Sequence, residues 1–111
     1  MHGTTRSTRI AVTGAIASTV AVAALGNGRQ IRLCGVTVSS GLTTSPAFRV
    51  RLTNGDGGTA LWQGDVSATA QPHLRDEGLN RRASVNTGLF IVVDQVSGTP
   101  AGEVVIQWEP M

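Results

Sequence analysis

The chain of 111 residues contains no Lys and no Tyr, only one Cys and two His, and just 14% of its residues are charged. Each shortage removes a class of chemistry. A single thiol closes no internal disulfide, so the sequence does not read as a disulfide-stapled scaffold. Metal sites need three or four converging His, Cys or carboxylate ligands, whereas His2, His73 and Cys34 stand far apart along the chain. Cys34 has no neighbouring His to serve as its base, and covalent catalysis needs a nucleophile beside an oriented base. Asp65, Asp76, Glu77, Asp94 and Glu103 leave a carboxylate pair open in principle. With two Trp, two Phe and no Tyr, though, a sugar-stacking cleft is poorly supplied. The expectation is a protein that is not an enzyme and takes neither metal nor cofactor.

Positive charge comes entirely from nine Arg, against seven acids, for a net charge of +2. Those Arg are scattered and interleaved with acids, without the accompanying aromatics that stack on bases, so nucleic acid is not an expected partner. Arg is a planar, weakly hydrated fork suited to carboxylates and to protein interfaces, where it is enriched. A surface this poor in charge fits a domain that meets other protein over much of its area. The candidate interface residues are Arg6, Arg9, Arg49, Arg51, Arg75, Arg81 and Arg82.

What the chain does contain is β-type sequence punctuated by fourteen Gly. Its length holds one domain. From Ile10 to Leu25 no residue is charged, and three readings compete for that stretch. A membrane span needs about 20 strongly apolar residues, and this run is too short and too rich in Thr, Ser and Gly. A signal peptide would use Arg6 and Arg9 as its basic head and Ala21-Val22-Ala23 as its cleavage site. The reading preferred here is two strands, Arg9–Val12 and Ile16–Ala23, separated by Gly14, with Ile16, Ser18, Val20 and Val22 on one face. Residues 1–8 are then an extended N-terminal arm, and residues 9–111 a single β-sandwich domain.

Beyond Arg29 the period is two. Ile31 and Leu33 share one face, Val36 and Val38 take the opposite parity, and Gly35 at the switch marks a β-bulge. Ser39–Pro46 is a loop by composition. Phe48, Val50 and Leu52 point inward and Arg49, Arg51 and Thr53 outward. Asn54-Gly55-Asp56-Gly57-Gly58 turns the chain into a hairpin, because such residues accept positive φ. Thr59–Val66 returns, with Trp62 as the large core candidate. Gln71–Arg82 is a loop carrying Pro72 and Gly78, with strand resuming near Arg82–Val85. Leu89–Val93 is apolar on both parities and is expected to be a central strand covered on both faces. Val104, Ile106 and Trp108 point inward from the last strand, Glu103, Gln107 and Glu109 outward. No segment shows a convincing helical period. The fold class is all-β, an antiparallel, jelly-roll-like sandwich of about eight strands.

Three segments, Ile31–Val38, Phe48–Gly55 and Asn86–Val93, resemble small β-sandwich virion proteins of tailed bacteriophages. The resemblance covers roughly residues 29–109, and its motifs are structural. It implies a decoration or cement protein on the capsid exterior that binds the major capsid protein, forms a homo-oligomer (dimer or trimer), and uses extended termini. It implies no membrane. Two alternatives stay open: a phage tail or neck component, and a secreted or periplasmic binding module.

Overall fold

Strict alternation of apolar and polar residues dominates the chain, and the strands follow it. The computed structural model describes residues 5–41, 47–67 and 71–111. Residues 1–4 of the expected arm, and most of the loop expected at Ser39–Pro46, lie outside the described residues. Nine strands occur among the described residues: β1 (Arg6–Val12), β2 (Ile16–Val22), β3 (Ile31–Ser40), β4 (Ala47–Asn54), β5 (Ala60–Ser67), β6 (His73–Asp76), β7 (Arg81–Arg82), β8 (Leu89–Ser97) and β9 (Gly102–Pro110).

They form two antiparallel sheets. One runs β1-β9-β3-β6, with β7 also paired to β3, and the other runs β2-β8-β4-β5. With the two-residue β7 set aside, successive strands from β1 to β6 enter the sheets in the order one, two, one, two, two, one, and β8 and β9 then close one sheet each. This is the connectivity of a double Greek-key jelly roll.

The core lies between the sheets. Phe48, Val50 and Leu52 from β4, Ile31, Leu33, Val36 and Val38 from β3, and Val104 and Ile106 from β9 are essentially inaccessible. Each contributes roughly 1.5–3 kcal/mol by leaving water. Trp62 and Trp108 join them, as the alternation predicts. At Gly35 the β3–β9 register slips between Leu33 and Gly35, so the parity switch is the expected bulge. The bulge lets Ile31 and Leu33 on one side, and Val36 and Val38 on the other, all reach the core.

Four expectations are corrected. The first strand begins at Arg6, because Arg6, Ser7 and Thr8 continue the ladder opposite Trp108, Gln107 and Ile106, so these residues are sheet and not arm. The segment Gln71–Arg82 is not all loop, since His73–Asp76 and Arg81–Arg82 pair with β3 as short edge strands, and the strand expected over Arg82–Val85 ends at Arg82. In β2, register shifts between Ile16 and Thr19 and between Val20 and Val22 break the expected common face. Val22 is buried, while Val20 is 51% exposed. β8 is central, but only one of its faces is covered. Leu89, Ile91 and Val93 are in the core, whereas Phe90 and Val92 point away from it and are half-buried. The Ile10–Leu25 stretch contributes the end of β1 and all of β2, and no helix among the described residues is long and apolar enough to cross a membrane.

Candidate functional site

The outward faces of the two sheets carry most of the candidate residues, while Arg6 and Arg81 stand opposite the core residues Trp108 and Leu33. On the four-stranded sheet, β4 lies between β5 and β8, so Arg49 stands opposite both Asp65 and Asp94. Its guanidinium grips Asp65 in a two-point fork, Nε to Oδ1 at 2.8 Å and Nη2 to Oδ2 at 3.2 Å. That fork holds the Asp65 carboxyl below the usual carboxylate range and raises Arg49, hydrogen bonding being the larger cause in both cases. Arg51 reaches diagonally to Asp94 at 2.8 Å. The result is a ladder of alternating sign across three strands.

The other sheet carries a second set. Arg32 on β3 donates to Glu109 on β9 at 2.7 Å, and the Thr5 hydroxyl donates to the same carboxylate at 3.0 Å. The hydrogen bond to Glu109 holds the Arg32 guanidinium above its ordinary value. Arg9 lies 3.6 Å from Glu103, and Arg75 Nε donates to Glu77 at 2.8 Å. Arg6 sits over the Trp108 ring, 5.5 Å from its centroid, a cation–π contact, while the indole of Trp108 donates to Thr8 at 3.0 Å. Arg81 donates to the backbone carbonyl of Leu61 and so ties β7 to the opposite sheet.

Of the seven predicted interface residues, four are therefore ion-paired to carboxylates of the same chain. Two more are engaged with Trp108 and a backbone carbonyl. The side chain of Arg82 alone of the seven makes no hydrogen bond, ion pair or ring contact among the described residues. The forks are not grouped: Arg49 and Arg51 lie on one sheet, Arg9 and Arg75 at opposite edges of the other. Sequence reasoning missed Arg32–Glu109, although strict alternation beside Ile31 and Leu33 puts Arg32 on the outward face. It also missed the outward apolar patch of Phe90 and Val92.

Two shallow depressions border β5, the first where it approaches β6 and the second against β4 and the end of β8. One, of about 290 Å³, is lined by Gln63, Gly64, Asp65, Gln71, Leu74 and Asp76. The other, of about 220 Å³, includes Phe48, Val66 and Val96 in its lining. The carboxylates of the first are already engaged, Asp65 by Arg49 and Asp76 by the indole of Trp62. Among the described residues no three His, Cys, Asp or Glu side chains gather as a metal-binding group. Cys34 is half-buried, and burial raises its thiol pKa.

Fold and surface together define a small double-sheet jelly roll with flat, laddered outer faces. No family model and no curated protein matches the chain. Among solved structures, a chain from Bacillus endospore appendages, reported as a novel family of disulfide-linked pili, is similar over 96% of this chain and 89% of its own length, at 17% identity and a TM-score of 0.36. A likeness that loose carries no functional argument.

Proposed function

We propose that this protein acts by binding other protein, as a structural component that decorates the exterior of a tailed-bacteriophage capsid and stabilises its shell. The observation that supports this reading is the form of the surface. Both broad faces are pleated ladders most of whose charges are already paired in plane, which suits many shallow contacts better than enclosure of a reactant. Segments 31–38, 48–55 and 86–93, which resemble such virion proteins, supply the particle. Because most Arg forks are held within the chain, they serve as a rigid polar lattice rather than as free hooks. Many modest contacts made at once then give a strong attachment. In this reading the protein takes no cofactor and catalyses nothing.

The test is to quantify the protein in purified particles and to strip it from them. Hundreds of copies per particle, with stripped particles failing earlier under heat or osmotic shock, is the expected result. About a dozen copies would assign it to a neck or tail ring instead. Failure to sediment with any particle would overturn the proposal.

A further inference from the structure

The two outward faces of the sandwich differ in kind. On the sheet containing β9, outward positions are Ser7, Thr37, Ser39, Gln107 and their Arg and Glu neighbours, with Ala11 and Val105 as apolar exceptions. On the sheet containing β8, one end of the outward face is apolar. Val20 stands opposite Phe90 in the β2–β8 register, and Val92 follows two residues on. Neither Phe90 nor Val92 belongs to the core or to the half-buried side chains packed against it. The molecule has two Phe in all, and one of them is spent here, facing away from the core.

Beside that patch the face carries Asp65, Arg49, Asp94 and Arg51, two of each sign. The set sums to zero and alternates across the strands. A partner of one net sign would gain nothing from it. A copy of the same face turned about an axis along the strands, between β4 and β8, sets Asp94 of each copy over Arg49 of the other and Val20 over Ala60. A two-fold interface needs this self-complementarity, because the same patch serves both sides.

We propose that the outward face of the four-stranded sheet is a self-association surface, on which two copies of this chain meet face to face through Val20, Phe90 and Val92 flanked by the Arg49–Asp65 and Arg51–Asp94 pairs. A standard interface covers about 800 Å² per partner, about one-seventh of the molecule's 5788 Å² surface, an area on the scale of one sheet face. The proposal deepens the reading of the protein as one that acts by protein contact, but it does not depend on which particle that protein belongs to.

Sedimentation velocity of the pure full-length chain over a concentration series tests it without any particle present. The expected result is a monomer–dimer equilibrium with a dissociation constant of roughly 1–100 µM. Val20→Glu, at an exposed position, should raise that constant at least about tenfold by placing an unpaired charge in the contact. Phe90→Thr should do the same, and Thr37→Glu on the opposite face should leave it unchanged. Urea unfolding of each variant confirms that it is folded; should Phe90→Thr not fold, Val20→Glu decides. A wild-type chain that stays monomeric up to about 1 mM overturns the proposal. So does a dimer that Val20→Glu leaves intact, or one that Thr37→Glu breaks. Particle binding with a monomeric pure protein would retain the proposed function and discard this surface.

Discussion

Trp62 and Asp76 join the two sheets: the indole Nε1 of Trp62, on β5 of one sheet, donates to Asp76 Oδ2, on β6 of the other, at 2.7 Å. The ring itself is buried in the core, while its acceptor lies on an exposed edge strand. Trp62→Phe keeps most of the buried ring and loses the bond. Because water can reach Asp76, we expect a cost of about 1 kcal/mol from the bond, plus a smaller term for lost ring volume. Urea unfolding measures both, and Asp76→Asn should cost less than Trp62→Phe.

Asp65 makes stability depend on acid. Its folded pKa is lowered by the Arg49 fork, so its contribution is present above the unfolded carboxylate pKa of about 3.9 and is lost as pH falls through the lower folded value. Asp65→Asn should flatten the stability curve in that acid range and leave its shape unchanged from pH 6 to 8. Both groups are substantially exposed, so salt should shrink the difference between wild type and variant. Urea midpoints at pH 3, 4 and 7, with and without added salt, read it out.

Gly102 and Gly14 should respond in opposite ways to the same substitution. A Cβ on Gly102, at φ +154°, would lie 1.9 Å from the Ser39 carbonyl oxygen, while at Gly14 nothing lies within 4 Å. Gly102→Ala forces β3 and β9 apart where they pair and should cost roughly 2 kcal/mol or more. Gly14→Ala restricts only the unfolded chain and should be neutral or stabilising by up to about 1 kcal/mol. Thermal unfolding of the two variants ranks them.

Burial raises the Cys34 thiol pKa, outweighing the nearby Arg32 charge, which lowers it. Labelling by a thiol reagent in the native protein should therefore rise at higher pH than in the urea-unfolded chain. The same shift means stability is intact below the unfolded thiol pKa and declines as pH climbs toward the folded value. Cys34→Ala should remove that alkaline decline. Identical labelling profiles in the two states would contradict the placement.

Much of the fold could be read from local pattern. Alternation over Phe48–Leu52 and Val104–Trp108 set the inward faces, and the parity switch around Gly35 located the bulge. These signals are local, since a period of two needs only a few residues to declare itself. β6 escaped notice because short edge strands are chosen for charge and Pro rather than for buried side chains. The slips in β2 left no mark in composition, so alternation alone put Val20 on a common face with Val22. At Leu89–Val93, apolar residues on both parities do imply two faces that avoid water, but the second cover need not come from the same chain. The Arg partners were hidden for another reason. Arg49–Asp65, Arg51–Asp94 and Arg32–Glu109 are separated by 16, 43 and 77 residues, and only the strand order brings them together.

β1 and β9 run side by side from Arg6 opposite Trp108 to Val12 opposite Gly102. Any polypeptide before Arg6 and any after Pro110 thus departs from a single rim of the sandwich. A load pulling those two departures apart would peel the strands open one pair at a time, the mechanically weaker geometry, instead of shearing the whole ladder at once. A subunit meant to bear tension is better gripped across its sheet faces than by its tails.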